Sequence, residues 1–167
     1  SMTASIANDL RLRSPVSSVA EATSGSPVAY RLYEEGLRSL YQYDYSAALR
    51  LFAAALDEDS TFAMAAYYNA ILQPTGDAEE TSRYARALRL AARLPERERL
   101  AVTAGVLERT INPAVVAVAQ SLSHKYPGEP QSYEELAKAL FSGGQWAEPR
   151  NAIERAIAID SATEPVD

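Results

Sequence analysis

His124 is the one histidine in the chain, and cysteine is absent, so few side chains can supply a nucleophile or move a proton at neutral pH. A general base needs a nucleophile within reach and a third group to orient it. His124 stands late in a helical pattern beside Lys125 with neither, and it reads as a helix-end residue interacting with terminal carbonyls. Asp57-Glu58-Asp59 invites calcium, but a calcium loop needs alternating oxygen ligands, a central glycine and a distant glutamate. None of that frame is present, and the run reads as the acidic end of a helix. Gly143-Gly144 lacks the preceding strand and the following Lys-Ser/Thr of a phosphate loop. The arginines from Arg83 to Arg99 could meet an acidic partner, but Glu79, Glu96 and Glu98 among them favour a solvated helix face. The residues assign no catalytic group, no metal ligand and no cofactor.

Tyrosine is the unusual residue: there are ten, and seven fall between Tyr30 and Tyr68. It offers a large rigid contact area and a hydroxyl at small entropic cost, which suits recognition. The composition, 47% hydrophobic and 23% charged over 167 residues, is that of a globular chain. A net charge of −6 and a pI near 4.9 repel phosphate backbones, which argues against nucleic acid as a main partner. The lack of cysteine removes disulfides, thiolate zinc sites and thiol catalysis, and leaves the compartment open. Apolar stretches fall far short of the roughly 20 residues that cross a bilayer, so no membrane insertion is expected. Ser1 before Met2 reads as a cloning remnant, and the expectation is a fragment of a larger protein. The location expected is cytoplasmic, or extracytoplasmic if the parent is membrane-anchored.

The elements that must position these residues are helical. Residues 1–26 read as a tail, with Leu10-Arg11-Leu12-Arg13 extended. Ser26-Pro27 supplies an N-cap and a first-turn proline, and Leu32, Gly36, Leu37 and Leu40 form the inward face of the helix that follows. Tyr43-Asp44 breaks it. Ala48, Leu49, Phe52, Ala55 and Leu56 then carry the i, i+3, i+4, i+7 stripe of a core-facing helix. A short helix through Met64, Tyr67, Ala70 and Ile71 stops at Pro74-Thr75-Gly76. Asp77 with Glu80 looks like a capping box for a helix whose apolar side is Tyr84, Leu88, Ala91 and Ala92. Pro95 opens the next helix, with Leu100, Ala104, Leu107 and Ile111 as one face. Asn112-Pro113 caps another, facing inward through Val115, Val118, Ala119, Leu122 and Tyr126. Pro127-Gly128 is a break, after which a helix starts at Pro130 or Ser132. Gly143-Gly144 makes the last turn, and the final helix starts near Trp146 with Pro149 in its first turn. No segment shows a sustained strand pattern.

A repeat underlies this order. Tyr45 and Trp146 lie 101 residues apart, and so do Leu40/Phe141, Phe52/Ile153, Ala55/Ala156, Asp59/Asp160 and Ser60/Ser161. That separation is one short of three periods of about 34 residues. Over residues 27–162 the chain resembles the tetratricopeptide repeat (TPR) family. The first hairpin matches with Gly36, Ala48, Phe52 and Ala55, and departs with Glu35 and Ser60. The last matches with Leu136, Ala137, Ile153 and Ala156, and departs with Pro149 and Ser161. The run from Ser26 to Tyr30, followed by Tyr33 and Gly36, also resembles TPR regions of bacterial signalling proteins, where the repeats adjoin kinase, cyclase or transcription-regulator domains. The resemblance implies an all-α right-handed superhelix of about four hairpins, flanked by tails at 1–26 and 163–167.

It also implies that the first helix of each hairpin lines a concave groove, here Tyr30, Tyr33, Leu37, Tyr41, Met64, Tyr67 and Ile71. The groove lacks the Lys and Asn pattern with which chaperone-binding members clamp a terminal carboxylate; Tyr33 and Leu37 stand in the first of those places. Tyr43, Tyr45 and Tyr68 have an equal claim to packing between hairpins. The function expected is a non-enzymatic scaffold binding a protein or peptide. Two alternatives stay open: a self-association module, and an enzyme with an unrecognised groove site. Phe52 and Ile153 are each expected to fill a helix seam, with Ala48 and Ala156 as close-packing points. Ala152 and Ile159 are expected to form a small strip supporting at most a weak homodimer. The tail, through Ile6, Leu10, Leu12, Val16 and Val19, is expected to lie in the groove of its own stack or of a neighbour's.

Overall fold

A computed structural model describes residues 24–143 and 149–163. Those residues form eight α-helices and no strand: α1 (Pro27–Tyr41), α2 (Tyr45–Glu58), α3 (Ala63–Leu72), α4 (Glu80–Ala91), α5 (Glu96–Arg109), α6 (Val115–Lys125), α7 (Pro130–Ser142) and α8 (Pro149–Thr163). The expectations for the tail before Ser24, for a last helix starting near Trp146 and for residues 164–167 lie outside the described residues. The chain divides into two compact units between Arg83 and Tyr84, within α4.

In the first unit several helix boundaries have a local cause. Ser26 accepts the Ala29 N–H at 3.2 Å, and Pro27 occupies the first turn of α1, where its missing N–H leaves no bond unmade. At the other end Tyr43 sits at φ +62°, and the Asp44 N–H returns to the Ser39 carbonyl at 2.9 Å. This is the reversal that glycine usually makes at a helix C-terminus. Asp44 then caps α2 by accepting the Ala47 N–H at 2.9 Å. Farther on, Asp77 accepts the Glu79 N–H and Glu80 accepts that of Gly76, each bond one residue before the place that a capping box on Asp77 and Glu80 would give it.

α1 packs on α2, and α2 on α3. Ala29, Tyr33 and Gly36 meet Ala48, Phe52 and Ala55, with Phe62 and Ala65 closing over them. Leu32, Leu37 and Leu40 are only half-buried at the edge of this cluster. Gly36 is required by proximity, because a Cβ there would lie 2.7 Å from the Phe52 ring. That ring stacks on Tyr68 at 5.1 Å, and Tyr33 touches Phe62, Phe52 and Tyr68 at 4.9, 5.7 and 6.0 Å. The seam role expected of Phe52 and the close packing expected of Ala48 hold, since both are fully buried.

In the second unit α5 packs on α6, α7 on both, and α8 on α7. α4 buries Tyr84, Ala87 and Ala91, while Ala92, expected inside, is exposed. The face expected of α5 is rotated: Val102, Ala104, Gly105 and Val106 are buried, Leu100 and Leu107 only half so. Ile111 lies beyond the helix, 84% exposed, at φ +51°. The Asn112 N–H bonds back to Leu107 there, so the α5–α6 reversal places a β-branched residue in the left-handed region. Val115, Ala119 and Ala139 form a core with Leu107, Val116 and Leu136 around it. α7 starts at Pro130, which decides the alternative left open, and Ser132 is buried inside its first turn.

The last hairpin corrects two expectations. Ala156 packs closely, but Ile153 is 48% exposed, and the buried face of α8 runs through Pro149, Ala152 and Ala156. In the first unit the equivalent Phe52 is buried because Phe62 and Tyr68 lie over it. Among the described residues no helix lies over Ile153 in that way. Ala152 is part of the core rather than of a surface strip, Ile159 is half-buried, and Ile157 is exposed.

Candidate functional site

The tyrosine surface expected from the sequence belongs to the first unit, where α1 presents Tyr30, Tyr33, Leu37 and Tyr41 and α3 presents Met64, Tyr67 and Ile71. The structure divides this set. Tyr33 is 1% exposed at the centre of the aromatic cluster, so it cannot touch a partner and is withdrawn from the site. Burial pushes its hydroxyl far above the usual tyrosine range, with the neighbouring tyrosines adding to the effect. Tyr30, Leu37 and Met64 pack partly against the core, and Tyr67 and Ile71 are half-buried. Tyr41 is 78% exposed. Tyr30 donates its hydroxyl hydrogen bond to Glu34 at 3.0 Å, and Tyr67 lies against Tyr68 at 5.1 Å. Half-buried aromatics anchored from behind present rigid apolar faces and polar tips, a combination suited to binding.

Tyr43 and Tyr45 did not pack between helices. Both are exposed, in edge contact at 6.5 Å, and with Tyr41 they cluster at the α1–α2 reversal. The run of alternate tyrosines was visible in the sequence. Its exposure was not. Tyr68 alone of the three packs on the core.

The second unit holds surface features that the sequence reading missed. A hollow of about 550 Å³ is bounded by Gln120, Tyr133, Leu136, Asn151 and Arg155. Another, of about 400 Å³, lies beside Phe141 and Ile153 and is edged by Glu108, Glu134 and Lys138. Burial pushes the Glu108 carboxyl above its usual range and Glu135 adds to this, while Lys138 and a bond from Ser142 oppose it. Among the described residues no group of three metal-ligating side chains comes together, and no helix is long and apolar enough to cross a membrane.

No protein-family model matches the sequence, and no curated protein matches it.

Proposed function

We propose that the chain is a non-enzymatic protein-interaction scaffold, a right-handed TPR-like superhelix that receives a peptide or protein segment on the tyrosine surface of its first unit. The supporting observation is the division of that surface: Tyr33 locks the aromatic core, while Tyr30, Tyr67 and Ile71 stay half-open beside an exposed Tyr41. Few interface side chains carry most of a binding energy, and tyrosine is prominent among them. The same reading makes the chain the interaction part of a larger signalling protein.

Selection of displayed random peptides on the protein tests this, followed by titration against a Tyr41→Ala, Tyr67→Ala, Ile71→Asp triple variant. Selected peptides should lose about tenfold or more in affinity, the equivalent of at least 1.4 kcal/mol. Peptides that bind the folded variant equally well would place the site elsewhere.

A further inference from the structure

Ile153 and Ile157 form an exposed apolar ridge on α8, at 48% and 59% exposure. The hollow of about 400 Å³ lies on one side of Ile153. A second hollow, of about 150 Å³, adjoins both isoleucines and is edged by Pro130, Glu134 and Asp160. A ridge beside hollows of its own kind is a shape that a second helix can enter by interdigitation.

The sequence of the ridge has a symmetry that points to what enters. Arg150, Ile153, Ile157 and Asp160 are spaced by three, four and three residues, and at 3.6 residues per turn they share a stripe of about 80°. The order reads charge, isoleucine, isoleucine, charge from either end, with opposite charges at the two ends. Arg150 does pair with Glu154 at 2.8 Å, but both side chains are more than half exposed. Such an i, i+4 pair contributes only a few tenths of a kcal/mol and is readily exchanged.

We propose that this ridge is a self-association surface: two copies of the chain pair α8 against α8, antiparallel, about a two-fold axis. Ile153 of one copy then lies beside Ile157 of the other, and each Arg150 enters the acidic notch formed by Glu134 and Asp160 of the other copy. A two-fold contact uses one patch twice, so the antiparallel order brings both charge pairs together at once. The surface belongs to the second unit and does not rest on the tyrosine surface. It replaces the Ala152 and Ile159 strip expected from the sequence.

Sedimentation of the whole chain over a wide concentration range tests the idea. The wild type should show a reversible monomer–dimer equilibrium that weakens as salt rises, since rim charges are screened. Ile153→Asp should abolish it. Arg150→Asp and Asp160→Arg each place like charges at both contacts and should weaken association at least tenfold. Both changes are at exposed positions of α8, so unchanged far-ultraviolet circular dichroism should confirm folding. The deciding experiment mixes the two charge variants: a heterodimer restores both opposite-charge contacts and should form where neither variant self-associates. A wild type that stays monomeric overturns the proposal, as does a dimer indifferent to Ile153→Asp or a mixture that fails to associate. Ile153-dependent binding of a peptide of residues 60–73 by a monomeric wild type would assign the face to a following helix instead.

Discussion

Phe52 and Ile153 occupy equivalent places in the 101-residue repeat, yet one is fully buried and the other half-exposed. Truncation should separate them. Phe52→Ala removes a ring stacked on Tyr68 and held against Tyr33, and should cost about 3–5 kcal/mol. Measured at concentrations too low for pairing, Ile153→Ala should change stability by no more than about 0.5 kcal/mol, the range of surface substitutions. Urea unfolding of both variants checks this, and similar large losses would return Ile153 to the core. Ile111 offers the opposite sign. A β-branched residue held at φ +51° and 84% exposed strains the backbone without a packing return. Ile111→Gly should therefore stabilise by about 1 kcal/mol, read as a higher urea midpoint at unchanged slope.

Elements are joined here by a small number of polar contacts as well as by packing. Asp59 follows α2 and accepts hydrogen bonds from Thr61 Oγ1 at 2.7 Å, the Thr61 N–H at 2.9 Å and Ser24 Oγ at 2.9 Å. Burial would raise its carboxyl, but these bonds outweigh burial and hold it below the usual range. A carboxyl depressed in the folded state stabilises above its unfolded pKa, and that contribution is lost as pH falls through the folded value. The difference in melting temperature between wild type and Asp59→Ala should be greatest near neutrality and shrink in acid below the ordinary aspartate range. A difference constant with pH would remove the carboxylate from this role. In the second unit Arg97 on α5 bonds both the buried Glu98 and Glu129 at the start of α7. Arg97→Met keeps the stem and leaves Glu98 without that cation, and should cost about 1–3 kcal/mol in denaturant unfolding.

At the scale of the whole molecule, the charge of −6 and pI near 4.9 govern behaviour toward other macromolecules more than fold. Solubility should pass through a minimum near pH 5, and binding to duplex DNA at neutral pH should be undetectable at ordinary salt. Salt-sensitive DNA binding in a gel-shift assay would expose a basic surface that the overall charge conceals.

The order of the helices was legible because it depends on local rules. Ser26-Pro27, Asp44, Asp77 with Glu80, and Pro130 mark boundaries through hydrogen bonds and φ limits acting within a few residues. Small residues were legible for a similar reason: Ala48, Ala55 and Ala156 stand on faces that a period of 3.6 brings inward. The fate of the large residues was not legible. Tyr33 shares a helical face with Tyr41, yet one is sealed under Phe62 and the other stands in the open. Phe52 is covered by α3 and Ile153 is not, although the sequence around them repeats. Periodicity fixes which way a side chain points, whereas burial depends on whether another element lies over it, and that is a property of the tertiary structure alone.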